Sequence, residues 1–109
     1  MAGVPDKPIN VDVKSFRDQN SKTVSVIVSW TPGYSGGYDQ EFTIHYRVKQ
    51  SNRDFVEQFV GHPDNNMHTI PGLYPETVYE FTVQASNKLG QSQPSDPKEY
   101  KTAGNKKNI

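Results

Sequence analysis

The stretch that decides the fold spans residues 72–87 and reads Gly-Leu-Tyr-Pro-Glu-Thr-Val-Tyr-Glu-Phe-Thr-Val-Gln-Ala-Ser-Asn. In its second half, large apolar side chains alternate with polar ones, and the apolar positions are Tyr79, Phe81, Val83 and Ala85. Successive side chains of a β-strand point to opposite faces of the sheet, so this alternation predicts a strand with one buried face. The Pro and Gly residues that precede it predict a turn leading into the strand.

Six further apolar runs, spaced roughly ten residues apart, also predict strands separated by turns. In the first of them we expect Ile9, Val11 and Val13 to share one inward face. The run at 55–60 carries apolar residues at both parities, so its register stays open. The remaining runs lie at 23–30, 42–48, 67–70 and 98–102. In the first two of these, alternation places one set of side chains on a shared apolar face, namely Val24, Val26, Val28 and Trp30 in one run and Phe42, Ile44, Tyr46 and Val48 in the other. With the strand at 78–87, the sequence therefore predicts seven strands and no helix.

The composition agrees with an all-β domain. Val, Ile and Thr total 23 residues, whereas Leu and Ala total five. Side chains branched at Cβ lose rotamer freedom in helices and pack well on pleated sheets, so an all-helical protein is excluded. A length of 109 residues is that of one domain.

Charge and cysteine content exclude several classes of function. Twelve basic residues balance twelve acidic ones, so the electrostatic footprint of a nucleic-acid-binding protein is missing. No window approaches eighteen consecutive apolar residues, and we therefore expect no membrane span in this chain. The absence of Cys removes disulfides, thiolate catalysis and zinc–cysteine sites together.

Residues 72–87 resemble the signature of fibronectin type III domains. That signature is a Leu-x-Pro-x-Thr-x-Tyr corner followed by a strand that reads x-Phe-x-Val-x-Ala-x-Asn. Trp30 on the second predicted strand, Tyr46 on the third, and Pro94-Ser95 before the last also match. The resemblance implies a seven-stranded antiparallel β-sandwich of immunoglobulin-like topology. It covers residues 5–102, with 1–4 and 103–109 expected to be linker, the latter flexible.

The resemblance also implies a set of structural residues. The ring of Tyr79 is expected to be buried while its hydroxyl bonds the backbone near Leu73, and Pro75 is expected to fix the turn between them. An immunoglobulin domain is excluded, because it would carry Cys in place of Phe81 and Trp in place of Tyr46. The expected core and corner residues are Trp30, Tyr46, Leu73, Pro75, Tyr79 and Phe81.

Within that family, residues 30–38 and 85–92 are similar to type III domains of immunoglobulin-superfamily cell-adhesion receptors. This likeness implies an extracellular module of a single-pass plasma-membrane receptor that acts as a spacer and a protein-interaction surface. The alternative is an intracellular type III repeat of a muscle or cytoskeletal scaffold, although Gly33 and Ser35 depart from the Trp-x-Pro-Pro…Asp-Gly-Gly pattern of such repeats. A linker module of secreted microbial hydrolases is a more distant third interpretation.

No constellation of residues indicates catalysis. The imidazoles of His45, His62 and His68 are scattered, and no Gly-x-Ser-x-Gly nucleophile elbow or phosphate-binding loop occurs. We therefore expect no enzyme activity, no cofactor and no metal.

Two groups of residues are candidates for contact with a partner protein. Tyr34 and Tyr38 lie in a Gly-rich loop, where Tyr supplies contact area at low entropic cost. Arg47 and Lys49 belong to a cationic stripe on the polar face of the third strand. We expect the loop at 33–40, the loop at 88–93 and the chain's start to share one pole, with contact centred on the tyrosines. The partners implied are neighbouring domains and a possible cell-surface ligand, and the isolated module is expected to be monomeric.

Overall fold

The computed structural model describes residues 2–18, 22–63 and 65–104, and within them all regular structure is β-strand. Two antiparallel sheets form a sandwich, which confirms the predicted fold class. The strands are β1 (Ile9–Arg17), β2 (Val24–Thr31), β3 (Glu41–Val48), β4 (Val56–Gly61), β5 (Met67–Leu73), β6 (Val78–Asn87), β7 (Gly90–Gln91) and β8 (Lys98–Lys101).

The first sheet has the strand order β1-β2-β5, and the second has the order β4-β3-β6 with β7 and β8 both paired to β6. The inner faces of the two sheets share one core. Val26 and Val28 contribute to it from the first sheet, and Ile44, Phe81 and Val83 contribute from the second, each fully buried. These residues occupy the inward parities predicted from the alternation of apolar and polar side chains.

The strand count is eight rather than seven because a short strand, β7, forms within the loop expected at 88–93. Between β7 and β8 stand Pro94 and Pro97, which have no N–H to donate to a sheet. The hydroxyls of Ser92 and Ser95 instead accept the backbone N–H groups of Ala85 and Val83 on β6, at 2.9 and 2.8 Å. Serine side chains thus take over the hydrogen bonds of an interrupted edge strand.

The expected inward face of β1 is wrong at its first residue. Asn10 has a φ of 55°, and the pairing of β1 with β2 shifts register between Ile9 and Asp12. This bulge turns Ile9 outward, so its side chain is 49% exposed, while Val13 further along the strand is buried.

The register of β4, which the sequence left open, follows from its pairing with β3. Val56 lies opposite Tyr46, and Phe59 lies opposite Thr43. Because directly opposite residues of an antiparallel pair share a face, Val56 belongs to the inner face and Phe59 to the outer face. Both side chains remain largely exposed, since β4 is the outermost strand of its sheet.

Candidate interaction surfaces

The turn before β6 is built around the hydroxyl of Tyr79. The ring is buried, and the hydroxyl oxygen accepts the backbone N–H of Tyr74 at 2.9 Å. The hydroxyl of Thr77 donates to the carbonyl of Pro75 at 2.8 Å, and Leu73 packs in the core. Burial raises the pKa of Tyr79 above its ordinary value of 10.0, and the hydrogen bond from Tyr74 opposes that rise.

The other expected core aromatics fall into two groups. Tyr46 stacks on Phe81 with ring centroids 5.9 Å apart, but it is only partly buried and packs against the rim of the core. Burial still raises the pKa of the Tyr46 phenol, and the nearby Tyr79 adds to the rise. Trp30 is buried elsewhere in the core, 5.3 Å from the ring of Phe42, and its indole N–H has no acceptor among the described residues.

One pole of the sandwich is assembled from three segments that are distant in sequence. Gly3 N–H donates to the carbonyl of Gly36 at 2.9 Å. The amide nitrogen of Asn87, at the end of β6, donates to the carbonyls of Gly3 and Ser35 at 2.7 and 2.9 Å. The chain's start and the loop at 33–40 therefore meet at the end of β6, where the loop at 88–93 that was expected at the same pole begins.

The two loop tyrosines at this pole differ in exposure. Tyr34 is 56% exposed, although its backbone carbonyl accepts the N–H of Asp6 at 2.9 Å. Tyr38 is partly buried, with the Lys88 ammonium 4.2 Å from its ring centroid. Leu89 is also exposed beside Lys88. We call Tyr34, Tyr38, Lys88 and Leu89 the pole patch, and it combines aromatic surface with a cation held over one ring.

The stripe on β3 is less cationic than its sequence suggests. Arg47 is bonded to Glu80 of β6, and Lys49 lies 2.7 Å from Glu99 of β8. The Arg47 guanidinium also sits over the ring of Phe55, 4.2 Å from its centroid. Neighbouring strands thus supply a carboxylate to each cation. Alternation along one strand reveals the stripe but carries no information on which residues lie opposite it, so sequence reasoning missed Glu80 and Glu99.

Comparison with known proteins agrees with this geometry. The family described as "Fibronectin type III domain" matches residues 7–100. The chain belongs to the fibronectin type III family. The corner around Tyr79 and the two-sheet topology are thus those of a type III domain, as the sequence resemblance implied.

Relatives of this type III domain include immunoglobulin-superfamily adhesion receptors. Protein turtle homolog A of Homo sapiens is 44% identical over 69 residues, which cover 58% of this chain and 6% of that protein. Nephrin of Mus musculus is 35% identical over 88 residues, which cover 81% of this chain and 6% of that protein. The chain therefore spans a small fraction of the length of the relatives it matches.

Solved structures similar to this type III domain include ones of Drosophila Lar and of titin. The FN5 domain of Drosophila Lar has a TM-score of 0.71 and 26% identity, covering 93% of this chain and 99% of that one. The structure "Titin kinase and its flanking domains" has a TM-score of 0.68 and 31% identity, covering 93% of this chain and 18% of that one. This chain thus shares its fold with a domain of Lar and with part of the titin structure.

Type III domains and the adhesion receptors related to this one are typically non-enzymatic. Among residues 2–18, 22–63 and 65–104, no three His, Asp or Glu side chains are grouped so as to hold a metal ion. The same described residues include no helix long and apolar enough to cross a membrane. The pole patch and the stripe on β3 are the candidate interaction surfaces of this type III domain.

Proposed function

We propose that this fibronectin type III domain is an extracellular module of a single-pass cell-surface adhesion receptor, where it spaces neighbouring domains and presents the pole patch to a protein partner. The observation that carries the proposal is the pole itself, where the chain's start is hydrogen-bonded to the loop that holds the exposed Tyr34. A domain that precedes this one would be held next to the pole patch. The similarity to turtle homologues and nephrin supports the extracellular setting.

The proposed domain boundaries are 5–102, with 1–4 and 103–109 as linkers. The backbone N–H of Gly3, in the first linker, is hydrogen-bonded to the loop at 33–40. This bond supports a first linker that is held in a defined direction against the domain. Residues 105–109 of the second linker lie outside the described residues.

The module is proposed to be monomeric, and its partner affinity to be micromolar or weaker. Its net charge is zero, so long-range attraction adds little to the rate of association. We propose Tyr34 and Tyr38, and not Arg47 and Lys49, as the residues that contact the partner protein. The reason is that both cations already have carboxylate partners within the sheet.

The test compares two paired variants of the parent ectodomain in binding to its ligand. Tyr34→Ala with Tyr38→Ala is expected to reduce affinity by about tenfold or more, as loss of buried aromatic contacts does. Arg47→Ala with Lys49→Ala is the matched surface control and is expected to leave affinity unchanged. A loss confined to the control pair would show that the stripe is the binding surface, and a loss in neither pair would reduce the module to a spacer.

The second candidate is an intracellular repeat of a muscle or cytoskeletal scaffold, which the similarity to the titin structure favours. An antibody against this domain distinguishes the two settings. We expect it to label intact, unpermeabilised cells that express the parent protein. Labelling only after permeabilisation would favour the scaffold.

A further inference from the structure

The free edges of the two sheets differ in how well they are protected. On β1 the backbone N–H of Ser15 donates to the hydroxyl of Tyr100, which covers that edge. On β5 the edge is interrupted by Pro71, and between β7 and β8 it is interrupted by two prolines. Among the outer strands within the described residues, β4 is the longest with neither a proline nor a side chain from another strand bonded to its backbone. Natural sheets usually block such an edge, because it can pair with another chain.

The residues of β4 are also of the kind that favours strand pairing. Its sequence is Val-Glu-Gln-Phe-Val-Gly, preceded by Phe55. Val56 and Phe59 are 49% and 61% exposed. The carbonyl of Phe59 accepts an exposed bond of 3.2 Å from the side-chain amide of Gln58, its neighbour on the same strand. A second strand could replace that bond with one from its own backbone.

A cavity of about 440 Å³ lies on the inner side of this edge, between the two sheets. Val56 forms part of its rim, and Tyr46, Leu73 and Tyr79 form its apolar wall. Ser51 also lines it, and the buried hydroxyl of Ser51 has no hydrogen-bond partner among the described residues. An added strand would place alternate side chains on the inner face beside Val56, over this cavity.

The charge on β4 indicates which kind of strand can pair with this edge. The only charged residue of β4 is Glu57, whose side chain is 75% exposed and lies 3.9 Å from His45. In an antiparallel pairing of two copies centred on Glu57 or Gln58, the two Glu57 side chains would lie opposite or diagonal to each other, which is unfavourable. A segment with Lys or Arg at the corresponding position would instead form a cross-strand ion pair.

We propose that β4 is a docking edge for an extended segment of another protein. The segment has apolar residues at alternate positions, which lie over the cavity, and a Lys or Arg on its other face opposite Glu57. This surface is separate from the pole patch, and the proposal does not depend on the proposed receptor setting.

The probe is the acetylated, amidated peptide Val-Thr-Val-Lys-Val-Thr-Val, titrated into the ¹⁵N-labelled chain and followed by NMR. We expect amide shifts that concentrate at 56–61, with slower hydrogen exchange there, because free backbone groups of the edge become bonded. The same peptide N-methylated at its Val residues loses backbone donors and is expected to bind about tenfold more weakly or not at all.

Variants of the chain locate the contact. Val56→Lys is expected to weaken binding about tenfold, since it places a charge on the docking edge. Ile9→Lys is the matched control, because Ile9 is equally exposed on the edge strand of the other sheet, and it is expected to bind normally. Glu57→Lys is expected to lose the Lys peptide and to bind the same peptide with Glu in place of Lys. Thermal unfolding of each variant establishes that it is folded.

Four results would overturn the proposal. They are the absence of shifts at 56–61, equal binding of the N-methylated peptide, equal loss in Val56→Lys and Ile9→Lys, and failure of the charge exchange at Glu57. Self-association of the unliganded chain through β4 in sedimentation experiments would also overturn it, because the occupant would then be a second copy.

Discussion

The hydroxyl of Tyr79 illustrates how one polar atom can stabilise a buried turn. Its ring contributes apolar area to the core, and its oxygen satisfies the N–H of Tyr74, a donor that the turn would otherwise leave without a partner. The resemblance of residues 72–87 to the type III signature implied this arrangement, because Leu73, Pro75 and Tyr79 match the corner of that signature within one short segment. The partial exposure of Tyr46 was not predictable, since it results from the cavity between β4 and β5.

Removing the hydroxyl oxygen of Tyr79 tests how much its hydrogen bond stabilises the turn. Tyr79→Phe keeps the ring and removes the acceptor of the Tyr74 N–H, so we expect a loss of about 1–2 kcal/mol in the free energy of unfolding. Tyr74→Phe is the control, because the Tyr74 side chain is exposed and its loss of a hydroxyl is expected to cost little. Denaturant midpoints of the two variants provide the measurement. Equal midpoints for Tyr79→Phe and the parent chain would mean that the bond contributes nothing.

The pole depends on how closely the chain's start approaches the loop at 33–40. Gly36 has a φ of 80°, and a Cβ at this position would lie 2.1 Å from the carbonyl oxygen of Gly3. Only glycine permits both the backbone conformation and the contact. Glycine at position 36 therefore lets the chain's start and the loop approach closely enough for the Gly3 N–H to reach the Gly36 carbonyl.

Two glycine variants separate conformational strain from steric contact. Gly72 has nearly the same φ, 79°, but its Cβ would meet no atom within 4 Å. Gly72→Ala is therefore expected to cost about 1–2 kcal/mol from the left-handed conformation alone. Gly36→Ala is expected to cost more and to abolish the hydrogen-exchange protection of the Gly3 amide. Equal costs with Gly3 still protected would show that the segment is not held by this loop.

The edge strand that is divided into β7 and β8 also shows how the bonding of one strand depends on tertiary contacts. The sequence predicted a loop at 88–93 and a last strand near 98–102, with Pro94 and Pro97, which have no N–H to donate to a sheet, at its approach. That Ser92 and Ser95 hydroxyls would accept the N–H groups of Ala85 and Val83 follows only from their positions across the sheet. Serine in a loop is common, and its partner is set by tertiary contacts.

The sandwich as a whole is stabilised by a core to which both sheets contribute. Trp30 from β2 contacts Phe42 from β3, so this aromatic pair joins the two sheets. A domain of this size is stable by only about 5–15 kcal/mol, and one large cavity in such a core removes a substantial part of that free energy.

Trp30 is therefore the position at which global stability is most simply tested. Trp30→Ala is expected to cost about 3–5 kcal/mol in the free energy of unfolding. Trp30→Phe is expected to cost clearly less, because it keeps a ring against Phe42 and removes an indole N–H that has no acceptor. Chemical denaturation monitored by circular dichroism measures both. An unchanged melting temperature for Trp30→Ala would contradict the core assignment.

The sequence by itself determined the all-β fold class and the inward parities of β2, β3 and β6, because alternation of apolar and polar residues is a local pattern within each strand. The resemblance of residues 72–87 to the type III signature implied the corner at Tyr79 and the family. Tertiary structure alone decided the carboxylate partners of Arg47 and Lys49, the outward turn of Ile9 and the unprotected edge of β4. These features depend on strand order and register. Residues brought face to face by a sheet can be 33 or 50 positions apart, as in the two ion pairs, and local periodicity carries no information about such pairings.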